Sequence, residues 1–450
     1  MNVRNPAALA SHAPARQSWR TWLTWTLSAL LALVPLCFSI EAGAKALPAA
    51  LLFVCGLVLL WRAPVRQSYR AAALAVVPVL LMIALDAANV AGHRLGWRPL
   101  DHTAHVLLYV VVAAVFARRL RMALVWAGFS ATAIGLGVVC LVQHYALDIV
   151  RARGLNGGDS AAIECATVLL GLALLALVQW LRATPWSWRW LLHGAGMLLG
   201  MYGALLTQSR GPLLAFAPTF LLVLLVHGWR SGRWRLSLAL GGVVCLGGAL
   251  ATTSTLHGVM LQRFEIIEQE VAGFDQGDPD GSVGARLEMW RTAMRAFGEH
   301  PLAGIGIDRY AGYARAEVAA GRSDPAIAPF NQPHNEYLRA LATGGVPQLL
   351  VLLAVFALPL RYFGRHLRHR DEAIATLACA GMAIIVLYML CALGESVFYR
   401  VMSQSLFFFL VLGLAVRIGW LTRAAGASNP PHAGLPDGQA RAPAGDGAPE

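Results

Sequence analysis

Lysine is almost missing from this chain. Among 450 residues only Lys45 is present, and no glycine-rich loop opening a helix precedes it, so a P-loop that cradles nucleotide phosphates is excluded. Lys45 stands in a short turn between two apolar runs, a poor setting for a Schiff-base amine. Reactive cysteine patterns are missing too. All seven cysteines (Cys37, Cys55, Cys140, Cys165, Cys245, Cys379, Cys391) fall inside apolar runs, with no zinc spacing and no disulfide framework. Charge is scarce, with 13% Asp, Glu, Lys and Arg, too little for an ordinary water-soluble domain. No repeat of solenoid period occurs, and the two halves show no similarity to each other.

Apolar residues are abundant, at 57%. Runs long enough to cross a hydrocarbon core of about 30 Å as helix recur at 22–40, 46–61, 71–90, 104–117, 122–142, 161–181, 188–208, 211–227, 235–252, 344–360, 373–393 and 402–420. The expectation is an all-α polytopic membrane protein with about 12 transmembrane helices. The first run and Ala44-Lys45-Ala46 mimic a secretory signal, but the length and flanking arginines favour a retained span.

Cytoplasmic loops carry an excess of Lys and Arg. Arg4, Arg16 and Arg20, then Arg62, Arg66 and Arg70, then Arg118, Arg119 and Arg121, then Arg230, Arg233 and Arg235, then Arg361, Arg365, Arg368 and Arg370 fall on one side if the N-terminus is inside. Both termini are then cytoplasmic. The net charge of +12 is largely this topology signal and needs no nucleic acid to explain it.

The expected organisation is a cytoplasmic N-terminal segment (1–21), transmembrane helices 1–9 (22–252), an external helical loop domain (253–343), transmembrane helices 10–12 (344–420) and a disordered cytoplasmic tail (421–450). The tail is built of Ala, Gly and Pro and cannot bury enough apolar surface to order itself. In the external loop, apolar spacing predicts helices over Met260 to Phe274, over Val283 to Phe297 with Leu287, Trp290, Met294 and Phe297 on one stripe, and over Arg309 to Ala320. The acidic turn DQGDPDG, with Asp275, Asp278 and Asp280, matches no EF-hand spacing and reads as a solvated connection.

Three features on the external side bear chemistry. Arg210, in TQSRGPLL, is held by a tight turn at the membrane edge, which suits either a lipid phosphate or an interface anchor. Arg286, in GSVGARLEMWRTA, opposes the dipole of the helix it opens unless an anion is near, and Arg291 and Arg295 extend a basic face. His334, in NQPHNEYLRALATGGVPQLL, follows Pro333 at a helix start that His334 or Asn335 can cap, ahead of a Gly344-Gly345 break. Taken together, two guanidiniums and an imidazole fit transfer from a lipid diphosphate to a hydroxyl. Arginine forks bind diphosphate and stabilise leaving-group charge, and histidine takes the acceptor proton. Arg151 and Arg153 could add to the phosphate-attracting field, and Tyr337 and Trp290 could stack on a sugar face. Solvated loop charges and an interfacial aromatic belt explain the same residues.

At these residues the chain resembles the membrane-embedded O-antigen ligase and polymerase superfamily. The resemblance rests on Ser209-Arg210-Gly211, on Gly284-Ala285-Arg286 with Trp290, on the run from His300 to Gly306, and on Pro333-His334-Asn335 with Leu338. It covers roughly the second half of the chain. It implies a GT-C-like fold in the bacterial inner membrane, multi-pass, with the loop and active site on the periplasmic face. It further implies an inverting glycosyltransferase with no cofactor and no obligatory metal. Its partners would be membrane lipids, an undecaprenyl-diphosphate-linked glycan as donor and a lipid A-core acceptor, and not nucleic acid. By the same resemblance His334 is the catalytic base, and Arg210 and Arg286 bind the substrate diphosphate. The compact chain, with one long external loop, favours the ligase branch over the polymerases and the protein O-oligosaccharyltransferases, which stay open as alternatives. A twelve-span secondary transporter also fits the span count, but midplane polar residues and paired broken helices are lacking; Asp86, Glu164 and Glu395 fall near predicted span ends.

Overall fold

The computed structural model describes residues 13–40, 46–155, 161–235, 239, 241–242 and 282–428. Every regular element among them is helical: α1 (Ala13–Phe38), α2 (Ala46–Leu60), α3 (Ala63–Ala71), α4 (Ala73–Gly92), α5 (Asp101–Val112), α6 (Met122–Tyr145), α7 (Ala161–Trp180), α8 (Trp188–Leu206), α9 (Arg210–Ser231), α10 (Ser282–Glu299), α11 (Tyr310–Ala319), α12 (Glu336–His366), α13 (Glu372–Cys391) and α14 (Val401–Ser428). Among the described residues nine helices are long and apolar enough to cross a membrane, or ten if the bent pair α2–α3 is one span. The protein is a polytopic membrane protein.

Those nine fall on nine of the twelve expected runs. The run at 46–61 becomes α2, after which the chain bends by 99° into α3. Arg62 is extended at that corner (φ −81°, ψ 124°), and Pro64 follows in the first turn of α3, where its missing N–H costs no helical hydrogen bond. The run at 188–208 is the helix α8, although it is not one of the nine. The run at 235–252 lies almost wholly outside the described residues, as do Lys45, the helix expected over Met260 to Phe274 and the DQGDPDG turn.

The interior is made by α7, α13 and α14, which are buried along most of their length, whereas α1 and α4 keep an apolar face outward. In α14, Phe407, Phe408 and Phe409 are all buried, and Phe409 meets Phe38, Tyr109, Phe116 and Phe129 edge-on. Such edge contacts add about 0.5–1.5 kcal/mol each to the area they bury. Elsewhere small residues bring backbones together: a Cβ on Gly137 of α6 would stand 2.4 Å from the Leu199 carbonyl oxygen of α8. Close approach of this kind is how helices associate in lipid, where there is no hydrophobic drive between them.

Two expected helices of the external segment are present as α10 and α11. The most buried face of α10 lies beside the apolar stripe of Leu287, Trp290, Met294 and Phe297. Ala285, Met289, Thr292, Ala293 and Ala296 are buried, while Leu287, Trp290 and Phe297 are half-buried and Met294 is exposed. Small side chains let α10 lie close on the start of α12, and the bulky ones are left at the rim.

Candidate functional site

The site begins with a break in a helix. In α12, Gly345 has φ 67° and ψ −161°, so the helix stops and restarts there. Unbroken, the helix would bond Val346 N–H to the Ala342 carbonyl. Both groups turn instead to the run after α10: Val346 N–H donates to the Pro301 carbonyl (2.8 Å), and Ile305 N–H donates to the Ala342 carbonyl (2.8 Å). Pro347 has no N–H to give to Thr343, and Gly306 N–H fills that acceptor at 3.0 Å. The glycines are required. A Cβ on Gly304 (φ 63°) would lie 2.3 Å from Gly344 N, and one on Gly345 2.4 Å from the Pro301 oxygen. Asn89 of α4 secures the seam from outside, donating to the Ala303 and Thr343 carbonyls and accepting from Ile307 N–H.

This seam fixes the short first section of α12 and the turn before it. Asn335 caps that section, its Oδ1 accepting from Tyr337 N–H and Leu338 N–H at 3.0 Å each. His334 is therefore not the cap. It sits at φ 49°, a left-handed conformation uncommon for a residue with a Cβ, and its ring is turned to Glu395 with Nδ1 3.0 Å from Oε2. Phe330 covers the imidazole edge-on at 5.6 Å. Trp290 Nε1 donates to the Pro333 carbonyl (2.9 Å), and Asn335 Nδ2 to the Leu393 carbonyl (3.0 Å). Turn, helix start and the loop after α13 are thus tied together around one ring.

Glu395 is the centre of the arrangement. Its side chain is only 5% exposed, and its other oxygen accepts from Arg286 Nη2 at 3.1 Å. Arg286 is itself 40% exposed, so part of its fork faces outward. With the carboxylate accepting, His334 carries its proton on Nδ1 and presents a lone pair on Nε2. His334 and Arg286 both contact this one carboxylate. Sequence reasoning weighed Glu395 only as a span-end charge. Its signal was isolation, for no other acidic residue occurs between residues 373 and 436.

Arg210 comes to the same end of the bundle. At the far end Glu372, which opens α13, pairs with Arg230 near the end of α9 and with Arg182 just after α7. Both helices therefore run antiparallel to α13, and their starts lie beside its last turn, just before Glu395. Arg210 opens α9 and is exposed there. Arg151 is not a loosely solvated loop charge: its Nε donates to the Thr207 carbonyl (3.0 Å) and its Nη2 approaches Ser209 Oγ (3.4 Å), which pins the turn that presents Arg210. Arg153 is anchored through its backbone N–H to Gln143 Oε1. Arg400 and Glu164 pair at 3.6 Å nearby, where α7 and α14 start.

The expected basic face of α10 divides. Arg286 turns to Glu395, Arg295 turns to Glu317, and Arg291 is exposed. Tyr337 and Trp290 are both held by hydrogen bonds, Tyr337 Oη donating to the Met389 carbonyl (3.0 Å). Among the described residues no three His, Cys, Asp or Glu side chains cluster as a metal site.

Comparison with known proteins bears on this region directly. Residues 195–353, which include Arg210, Arg286, the glycine seam and His334, match a family model described as O-Antigen ligase. The matched segment is similar to the O-antigen ligase family. Among curated proteins, the chain is 26% identical to the O-antigen ligase of Pseudomonas aeruginosa over 283 residues, 62% of this chain and 61% of that protein. It is also 21% identical over 318 residues to an uncharacterized protein of Haemophilus influenzae, covering 70% of this chain and 78% of that one. The family implies a glycosyltransferase-type enzyme with glycan and lipid substrates.

Proposed function

We propose that this protein is an O-antigen ligase that moves a glycan from undecaprenyl diphosphate to a sugar hydroxyl of lipid A-core, with inversion and without metal, at the periplasmic face of the inner membrane. In this reading 253–343 is the periplasmic loop domain, and the N-terminus and the tail from 421 are cytoplasmic. His334 Nε2 takes the acceptor O–H proton. The freed oxygen pair forms the new bond to the anomeric carbon from the face opposite the diphosphate, and the old C–O pair leaves with the diphosphate. Arg210 and the outward part of Arg286 bind that anion and hold its growing charge. Glu395 acts through His334, keeping the proton on Nδ1 and stabilising the imidazolium that forms.

The observation that carries this reading is the pair of contacts on Glu395, 3.0 Å from His334 and 3.1 Å from Arg286. One carboxylate thereby sets a base and a guanidinium side by side.

The test is reconstitution with defined lipid-linked glycan and lipid A-core, comparing the wild type with Arg210→Ala and Arg286→Ala. Loss of about 10²-fold or more in transfer is expected for each, at unchanged protein level. Transfer by either variant at near wild-type rate removes the diphosphate site. Glycan lengthening on the lipid diphosphate without core acceptor assigns a polymerase instead, and solute flux without a covalent product assigns a transporter.

A further inference from the structure

The arginines between residues 286 and 339 divide by what they touch. Arg286, Arg295, Arg322 and Arg339 each pair with a carboxylate. Arg309 and Arg315 form no ion pair among the described residues, and Arg315 forms no hydrogen bond there either. Both are exposed, and both line one open groove of about 570 Å³ together with His93, His300 and Asp308. The groove shares no residue with the site built on His334, Glu395, Arg286 and Arg210.

The glycine seam fixes its walls. His93, just past the end of α4, has Nε2 3.2 Å from the Ala303 carbonyl oxygen. His300 closes the turn after α10, its carbonyl accepting from Gly304 N–H at 2.9 Å. Gly306 (φ 100°) lets the end of α4 meet the start of α11, since a Cβ there would stand 3.2 Å from the His93 ring and 3.3 Å from Arg309 Cδ. Arg309 Nη2 in turn reaches the His93 carbonyl at 3.5 Å. Two guanidiniums and two imidazoles thus share the groove with one carboxylate, Asp308. The space admits a phosphate ester, and guanidinium forks match phosphate oxygens bidentately.

What carries the phosphate follows from where the groove opens. α4 packs antiparallel on α12, with Asn89 Nδ2 donating to the Thr343 carbonyl and Gln348 Nε2 to Asp86. Both helices keep large apolar side chains outward, Leu80 and Leu81 on α4 and Val346, Leu350 and Leu353 on α12. On helices that cross a membrane, such side chains lie against lipid chains. Leu302, 74% exposed, lies in the turn between His300 and Gly304, and the Pro301 carbonyl beside it accepts from Val346 N–H. The basic groove therefore begins where the apolar face ends, at the level of lipid headgroups.

We propose that this groove binds a phosphate carried on a membrane lipid, with Arg309 and Arg315 on its oxygens and the lipid chains along the outward face of α4 and α12. The inference goes beyond the transfer reaction and does not depend on it.

The test uses full-length protein in lipid nanodiscs and two photoreactive probes, phosphatidic acid with a diazirine beside the headgroup and the matching phosphate-free diacylglycerol. Labelled peptides are mapped by mass spectrometry. Phosphatidic acid is expected to label 93–97 and 300–315 about tenfold more than diacylglycerol does. Arg309→Gln combined with Arg315→Gln should lower that labelling about tenfold, with labelling of the basic segment 361–370 at the other end of α12 unchanged. Arg315→Gln alone removes no protein contact, so it keeps the test independent of folding, and it should lose about threefold. Equal labelling by both probes, or labelling that the variants leave unchanged or lose equally at 361–370, overturns the proposal. Competitors identify the lipid. Displacement by phosphorylated but not dephosphorylated lipid A-core assigns the acceptor, whereas displacement by phosphatidylglycerol alone assigns bulk phospholipid. Soluble glycerol phosphate that displaces the probe as well as phosphatidylglycerol does contradicts a lipid occupant.

Discussion

Two buried carboxylates on this side of the molecule make an instructive pair. Glu317, in α11, is 2% exposed and is held by Arg295 (2.8 Å) and by both arms of Arg322. Glu395 is 5% exposed and is held by Arg286 and His334. Both are desolvated, and both therefore need cationic or hydrogen-bonding partners. The difference lies in what the partners can do next. Two guanidiniums close Glu317 into a staple that fixes the loop after α11 and leaves nothing to titrate near neutrality. An imidazole in place of the second guanidinium offers a ring nitrogen with a lone pair, which a guanidinium lacks. A structural ion cluster and the one proposed as catalytic differ here by one partner.

Substitutions can break or sharpen that contrast. The largest effect is expected from His334→Ala, which should lower transfer by about 10²–10⁴-fold in a protein that still folds, with a somewhat lower thermal midpoint in detergent because the buried Glu395 loses one of its partners. Next is Glu395→Gln. The amide keeps the shape and loses the charge, so kcat should fall about 10–100-fold with little change in KM, whereas Glu317→Gln should leave kcat within about threefold.

The seam offers an intermediate case. Gly345→Ala puts a Cβ 2.4 Å from the Pro301 oxygen at φ 67°, which costs on the order of 2 kcal/mol or more. It should appear as a lower unfolding midpoint together with lost activity.

Glu317→Gln belongs to stability. Hydrogen bonding from Arg322 holds the Glu317 carboxyl below its ordinary range, against the opposing effect of burial, with Arg295 adding to the downward shift. A depressed folded-state value means that the stabilisation is present above the ordinary carboxylate range and disappears as pH falls through the depressed one. Protection of the amides around 310–323, taken relative to the intrinsic exchange rate at each pH, should therefore fall in acid in the wild type. In the glutamine variant exchange should be about tenfold faster already at neutral pH. The smallest effect is expected from Trp290→Phe, which removes one hydrogen bond to Pro333 and should lower kcat only a few-fold.

These features were unequally legible in the sequence. Spans were legible because a helix that crosses lipid must be apolar over a length fixed by the bilayer, so the described helices fall where the runs are. The Gly344-Gly345 break was legible as a break, but not as a seam, because its partners at 301–306 are reached only through tertiary contact. Arg286 and His334 were chosen for their chemistry, and the contact that joins them was invisible: Glu395 lies 61 residues beyond His334, and no local pattern encodes such a pairing. The apolar stripe of α10 was legible, but its buried face was not, because a close helix contact selects alanine and threonine.

The central claim is that the Glu395 charge acts on the rate through His334, since the amide oxygen of Glu395→Gln can still accept from Arg286. A double-mutant cycle on transfer rate addresses it most directly, using His334→Ala, Glu395→Gln and the two combined. The account predicts that the double variant is no slower than His334→Ala alone, because once the imidazole is gone the carboxylate has no base left to orient. Losses that multiply would contradict it and give Glu395 a separate role of its own.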